Sequence, residues 1–240
     1  MAAEHDLTGT IWWDFDGTLI SRPFMWSEAA LRLLDSAKPG HGVSRATLKK
    51  AMASCMPWHP PNREHPQLAT AELWWGYVFA HYARSFKALG CDDAAGESAL
   101  TSLRDDILNA ARYSLFDDVV PVLTGLSASG WKHVIVSNHV PELQHIVTGL
   151  GLEPLIAQVV TSGLVGYEKP HARMFEAALS HTVPGRPIWM VGDNVEADCR
   201  PVAAFGAKAI LVRCADAGVF ERQASDLWAA ETMIAVRVAT

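Results

Sequence analysis

The chain has 240 residues, of which 50% are hydrophobic and 19% charged, and its formal net charge is −6. A chain of this length and composition can bury a substantial core, as one large domain or two smaller ones. The acidic balance, without any run of lysine or arginine, argues against nucleic acid as a binding partner. We expect no membrane span either, because no apolar run reaches the ~18 to 20 residues that cross a bilayer.

The cysteines and the start of the chain indicate a cellular compartment. Cys55, Cys91, Cys199 and Cys214 are scattered and form no CxxC pair. The opening MAAEHDLTG has neither the basic nor the apolar region of a signal peptide. We therefore expect free thiols in a reducing cytoplasm.

The first predicted strand is the apolar stretch GTIWWD at residues 9–14. From about Arg22 to Phe116 the pattern is helical, with apolar residues three and four positions apart and no convincing strand. The predicted helices lie in MWSEAALRLLDSA, SRATLKKAMASCM, TAELWWGYVFAHYARSFKALG and AGESALTSLRDDILNAARYSL. Trp74 and Trp75 are expected to pack inside this block. Prolines and polar residues in SRPF and FDDVVP mark the predicted hinges at its two ends.

From Trp131 onward, short apolar runs alternate with helical patterns, as in a parallel sheet with crossover helices. The predicted strands lie at residues 133–137, 157–162, 188–192 and 208–212. Because these runs lack polar alternation, we expect both faces of the sheet to be covered. The prediction is an α/β fold with a Rossmann-like parallel sheet core, flanked by helices and formed by residues 1–21 and 117–240. An all-α cap domain, residues 22–116, is inserted into it.

Polar residues follow the predicted strands at their carboxyl ends, where open parallel sheets bind ligands. Loop or capping chemistry can explain each of them singly. Carboxylates, a hydroxyl and an amine at four strand ends together favour a functional site. These residues are Asp14, Asp16, Gly17, Thr18, Ser137, Asn138, Lys169, Asp193, Asn194 and Asp198.

Four segments resemble, in order and spacing, the signature motifs of haloacid dehalogenase-like hydrolases. They are DFDGT at 14–18, VSNH at 136–139, YEKP at 167–170 and GDNVEAD at 192–198. The resemblance runs from Gly9 to about Arg213, and the helical block looks like the cap of the phosphoglycolate-phosphatase-like branch. It implies a phosphatase whose substrate is a small-molecule phosphate monoester.

The resemblance assigns the chemistry to two aspartates. Asp14 is the expected nucleophile, whose aspartyl phosphate divides the hydrolysis into two phosphoryl transfers. Asp16 is the expected general acid for the leaving alcohol and then the base that activates water. Halide-releasing dehalogenases of this superfamily generally carry tyrosine in place of Asp16, which favours the phosphatase. A dehalogenase, a phosphomutase and a non-catalytic binding protein of the same fold remain as alternatives.

The same resemblance supplies the phosphate contacts. Ser137 offers a hydroxyl and a backbone amide to a phosphate oxygen, and Lys169 offers a charge to the transition state. Gly17, Thr18 and Asn138 are further candidates, although capping is a nearly equal explanation for the last two.

The expected cofactor is Mg²⁺, which prefers a few oxygen ligands and keeps several waters. The resemblance assigns to it the carboxylates of Asp14 and Asp193 and the backbone carbonyl of Asp16. Asp198 is expected to orient a metal-bound water or the lysine, with Asn194 as a supporting residue. The oligomeric state is left open between monomer and homodimer.

The proline-rich segment MPWHPPNREHP, residues 56–66, is predicted to be a shaped loop between two cap helices. Trp58 offers an apolar face, and His59 and Arg63 offer hydrogen-bond donors to a leaving group. In relatives with this cap type such a loop reads the part of the substrate beyond the phosphate. A rigid surface connection is an equally weighted alternative.

Overall fold

The computed structural model describes residues 7–52, 64–91, 93–214, 218 and 220–235. The strands are β1 (Gly9–Trp13), β2 (Ile20–Ser21), β3 (Ser114–Leu115), β4 (Trp131–Ser137), β5 (Gln158–Thr161), β6 (Ile188–Gly192), β7 (Lys208–Val212) and β8 (Gln223–Ala224). The α-helices are α1 (Met25–Ala37), α2 (Arg45–Ala51), α3 (Ala71–Ala88), α4 (Asp93–Leu108), α5 (Val119–Ala128), α6 (Leu143–Gly149), α7 (Ser162–Val165), α8 (Ala172–Leu179) and α9 (Leu227–Ala235). None of these described helices is both long and apolar enough to cross a membrane.

Six strands form one parallel sheet in the order β5-β4-β1-β6-β7-β8. Helices cover both of its faces, and together they form the core of the protein. This confirms the predicted fold class. β1 lies inside the sheet, where Thr10 is opposite Lys132 of β4 and Ile188 of β6.

The side chains of the two tryptophans of β1 lie on opposite faces of the sheet, because successive side chains of a strand alternate between the faces. Trp12 stacks on Phe175 of α8, with 6.2 Å between ring centroids. Trp13 lies on the other face, where its indole N–H donates to His133 Nδ1 at 3.0 Å. Both indoles are fully buried, so β1 is held from both sides.

Helices α1 to α4 lie between β2 and β3, and this segment is called the cap below. Its aromatic centre places the Trp26 ring 5.9 Å from Trp74, which in turn lies 5.1 Å from Trp75. Trp74 and Trp75 are buried, as the sequence predicts. The domain boundaries at residues 22 and 116 stay a prediction.

The structure also departs from the sequence prediction. Residues 22–116 were expected to hold no strand, but β3 lies there and pairs antiparallel with β2. A two-residue strand is too short to show a periodic pattern. Between β6 and β7, where the alternation predicts a crossover helix, the chain forms a π-helical turn and then a 3-10 turn that begins at Pro201. Proline has no N–H to continue the first turn.

Candidate functional site

Three carboxylates meet at the carboxyl end of the two middle strands. Asp14 directly follows β1 and its backbone N–H donates to Val191 O of β6 at 2.9 Å. Asp193 directly follows β6, and Asp198 lies in the π-helical turn after it. Their ligand oxygens all lie within 4.8 Å of one another. Neighbouring parallel strands bring these positions together because their carboxyl ends share one edge.

Lys169 joins this cluster as its cation. Its Nζ donates to Asp14 Oδ1 at 2.7 Å and to Asp198 Oδ1 at 2.6 Å, and the residue is only 5% exposed. Burial alone would lower the pKa of Lys169, but Asp14 and Asp198 outweigh it and hold that pKa above its usual range. The lysine is therefore charged and fixed beside Asp14.

Asn138 positions the lysine through its backbone. Its Nδ2 donates to Lys169 O at 3.0 Å, and its Oδ1 accepts from the Lys169 N–H at 2.6 Å. The predicted phosphate contact thus has both ends of its side-chain amide engaged with the lysine backbone.

Gly17 allows the first motif to approach Asp193. Its φ is +78°, and an added Cβ would lie 2.1 Å from Asp193 Oδ2. Only glycine fits this left-handed position and this contact together. Thr18, next in the chain, donates to Asp14 Oδ2 at 3.4 Å, a long hydrogen bond.

Asp16 differs from its neighbour Asp14 in exposure and charge environment. Its side chain is 40% exposed, whereas Asp14 has only 7% of its surface exposed. Local desolvation, together with the charges of Asp14 and Asp193, raises the pKa of Asp16 to about 7. These causes favour the protonated form of Asp16 relative to an ordinary aspartate.

His139 is a residue of the site that the sequence analysis did not single out. Its Nε2 lies 3.6 Å from Asp16 Oδ2, and neither ring nitrogen has a hydrogen-bond partner among the described residues. Burial, with a smaller contribution from Arg22, lowers the pKa of His139 to about 3, so its ring is neutral. The available signal was its position directly after Asn138.

The remaining predicted residues line or support the same edge. Ser137 ends β4 beside β1 and is 1% exposed. The Asn194 side chain accepts from the N–H groups of Glu196 and Ala197, while its own N–H donates to Asp198 Oδ2 at 3.1 Å. Asn194 thus fixes the turn that carries Asp198.

The cap meets the core directly beside Lys169. His65 Nε2 lies 2.9 Å from Glu168 Oε1, and the His65 N–H donates to Gly166 O at 2.9 Å. A Cβ on Gly166 would lie 2.6 Å from Pro66 Cα, so the two backbones are in close contact. On another side, Glu142 of the core accepts hydrogen bonds from Trp75 and Arg104 of the cap. Glu168 was also missed, although it stands next to the predicted lysine.

The predicted specificity residues Trp58, His59 and Arg63 lie outside the described residues.

The acidic oxygens suit a divalent cation. Burial and the charge of Asp14 raise the pKa of Asp193 to about 6, which reflects repulsion that a cation would relieve. Clustered carboxylate oxygens are the donors that Mg²⁺ prefers. Asp198 also belongs to the cluster, but its Oδ1 accepts from Lys169 and its Oδ2 accepts from the Asn194 N–H at 3.1 Å. The predicted ligands Asp14 and Asp193 therefore fit, with Asp198 beside them.

Together, the parallel sheet, the inserted helices and the acidic cluster with its lysine define an α/β protein with a candidate site at the strand ends. The chain belongs to the haloacid dehalogenase-like hydrolases, whose family model matches residues 8–206. The predicted family is confirmed.

Individual relatives support the family and differ in activity. The chain is 30% identical over 154 residues to haloacid dehalogenase-like hydrolase domain-containing protein 3 from Mus musculus. This match covers 63% of the chain and 60% of the mouse protein. It is 32% identical over 128 residues to a phosphoserine phosphatase from Thermus thermophilus. This match covers 52% of the chain and 50% of the phosphatase. The matches thus span only about half to 60% of these relatives. A 2-haloacid dehalogenase from Pseudomonas syringae pv. Tomato DC3000 shares the fold, with a TM-score of 0.68, 20% identity, and coverage of 96% of this chain and 100% of that one.

Proposed function

We propose that this protein is a Mg²⁺-dependent phosphatase that hydrolyses a small-molecule phosphate monoester through an aspartyl phosphate on Asp14. The observation that carries the proposal is the pair of unlike aspartates. Asp14 is buried against the Lys169 ammonium, whereas Asp16, two residues on, has a pKa raised to about 7. A nucleophile and a proton donor need these two different environments.

In the first step, a carboxylate oxygen of Asp14 attacks phosphorus while the bond from phosphorus to the ester oxygen breaks. Asp16 gives its proton to that oxygen, which leaves as an alcohol. Lys169 stabilises the negative charge on the transferring group, because its Nζ is already fixed beside Asp14. Ser137, at the end of the neighbouring strand, would contact a phosphate oxygen, and Gly17 lets Asp193 approach the first motif.

In the second step, Asp16 is ionised and removes a proton from water. The water oxygen attacks phosphorus, the bond to Asp14 breaks, and inorganic phosphate is released. Asp16 thereby regains the proton that it gave away. The raised pKa of Asp16 suits both roles near neutral pH.

Bound Mg²⁺ would neutralise charge on the phosphate and on the carboxylates, which otherwise repel each other. Asp14 and Asp193 would hold it through their carboxylates and Asp16 through its backbone carbonyl. Asp198 would keep Lys169 in place, as its 2.6 Å contact supports.

The proposal also extends to substrate selection and setting. The loop with Trp58, His59 and Arg63 would read the part of the substrate beyond the phosphate. The enzyme would act in the cytoplasm as a monomer or homodimer, with residues 22–116 as its cap domain.

The test is hydrolysis of an aryl phosphate with Mg²⁺ and in excess chelator. We expect turnover that depends on the metal, and phosphate bound to Asp14 in an acid-quenched sample. Halide release from a 2-haloacid without any phosphate release would instead support a dehalogenase. Full turnover in chelator would contradict the metal role.

A further inference from the structure

A cleft of about 270 Å³ lies beside the two strands that connect the cap to the core. The polar residues that line it are Ser21, Arg22, Glu28, Arg32, Arg112 and Ser114. Ser21 and Ser114 face each other in the β2-β3 pair, and Glu28 and Arg32 are one turn apart on α1. The cleft shares no residue with the proposed catalytic cluster.

Three arginines of this cleft converge on one carboxylate. Asp106 Oδ2 accepts from Arg22 Nη2 at 2.9 Å, and Asp106 Oδ1 accepts from Arg32 Nη2 at 2.6 Å. Arg112 Nε lies 3.5 Å from the same Oδ1. Asp106 is not itself among the residues that line the cleft, and the one acidic side chain among the described lining residues is the exposed Glu28. Three positive and two negative side chains leave a surplus of positive charge.

The arginines differ in what they can still bind. Arg22 is 8% exposed and also donates to the backbone carbonyls of Asp106 and Ile107, so it is a structural member of the group. The side chains of Arg32 and Arg112 are 36% and 47% exposed. Among the described residues, Arg32 and Arg112 each contact Asp106 through one nitrogen. A guanidinium has five N–H donors in all. Arg32 and Arg112 therefore keep donors and access to solvent.

We propose that this arginine cleft binds a small oxyanion with two or more negative charges, namely a phosphate group, free or on a small metabolite. Guanidinium groups present paired donors that match phosphate oxygens. The hydroxyls of Ser21 and Ser114 add neutral donors at the cleft wall. The volume is below the ~300 to 1,000 Å³ of pockets for drug-sized ligands, which suits a small phosphate compound.

Binding can be measured without turnover, and the cleft variants separate binding at the cleft from binding at the proposed catalytic site. Calorimetric titrations in chelator use two probes, inorganic phosphate and glycerol 3-phosphate, which separate free from esterified phosphate. The variant Arg32→Gln/Arg112→Gln should bind the preferred probe at least roughly tenfold more weakly, because it loses two charged donors. Arg173→Gln/Arg200→Gln is the matched control, since it removes two exposed arginines that pair with Glu176 and Glu196 on the core surface. The control should bind as the unchanged protein does.

A second variant tests the sign of the effect. Asp106→Asn removes the charge that partly neutralises the arginines, so the probe should raise the melting temperature of this variant more than that of the unchanged protein. Equal affinity in the Arg32→Gln/Arg112→Gln variant and in the control, or a smaller stabilisation of Asp106→Asn, would overturn the proposal. The arginines would then serve only to fix Asp106.

Discussion

At the scale of single residues, the site shows how surroundings give one residue type several roles. Asp14 is fixed by the Lys169 ammonium, and Asp198 is tied to the same ammonium. Asp16 is more exposed than either and has a pKa raised to about 7. Their chemical difference therefore comes from position, since the side chains are identical.

Asp16→Asn should separate the two chemical steps. With an alkyl phosphate, whose leaving group needs a proton, we expect a loss of turnover of roughly 10² to 10⁴-fold. With an aryl phosphate, whose leaving group is good, the first step should survive and the aspartyl phosphate should accumulate as a burst. Stopped-flow detection of the released phenol measures that burst. Equal losses on both esters without a burst would contradict a proton-transfer role for Asp16.

Gly17→Ala should lower turnover by roughly 10²-fold, because its Cβ would displace Asp193 and misplace the reacting groups. Gly40→Ala is the matched control, because Gly40 has a similar φ of +77° but no atom of the described residues within 4 Å of an added Cβ. Both variants carry the strain of a left-handed alanine. Only Gly17→Ala should lose activity at a temperature where both are folded, as shown by circular dichroism. Similar losses in both would assign the effect to backbone strain.

At the scale of elements, the cap rests on the same loop that carries the lysine. The His65 to Glu168 contact and the close approach of Gly166 to Pro66 join the cap to the residues just before Lys169. The structure therefore connects the placement of the cap with the placement of the lysine.

His65→Ala and Glu168→Ala should each lower kcat/KM by roughly tenfold, because each leaves the other partner buried without its hydrogen bond. The double variant should be no worse than either single one, since the contact is already lost. The exposed pair Arg173 and Glu176, 2.9 Å apart, is the control, and its alanine variants should have little effect. Losses that simply add in the double variant would show that the two residues act separately.

At the scale of the whole molecule, His133 lies in the middle of the fold as a neutral ring. Nδ1 accepts from the Trp13 indole, and Nε2 lies 3.1 Å from both Leu123 O and Ser127 Oγ. Burial lowers the pKa of His133 to about 4, although the contact with Leu123 opposes this shift. Protonation of Nδ1 would remove the acceptor of Trp13.

This lowered pKa makes the free energy of unfolding depend on pH in a definite direction. Between pH 6.5 and about 4 the unfolded chain binds a proton at His133 that the folded protein does not, so lowering the pH destabilises the fold. The raised pKa values of Asp16 and Asp193 contribute the opposite slope, so the comparison must use variants. The stability difference between the unchanged protein and His133→Gln should shrink by roughly 2 to 3 kcal/mol from pH 7 to 4.5 in urea titrations. A constant difference for His133→Gln would contradict the prediction.

Long elements could be predicted from the sequence better than two-residue strands or contacts between distant residues. β6 and β7 agree with the predicted ranges because fully buried strands are continuous apolar runs. β3 and β8 have two residues each and leave no such pattern. Motif spacing pointed to the strand ends that bring Asp14 and Asp193 together. It could not show that His65 reaches Glu168, because those residues are 103 positions apart and meet only after the cap docks.

The central place of β1 in the sheet determines how long Asp14, the proposed nucleophile, keeps its position. β1 is paired on both sides, and the Asp14 amide itself is bound to Val191. Amides in such a strand exchange with deuterated solvent only when the whole core opens, whereas a docked surface element opens at a much lower free energy. If the cap opens during the proposed reaction, the Asp14 carboxylate would therefore stay in place. Each new substrate would then meet a proposed nucleophile already aligned by the sheet.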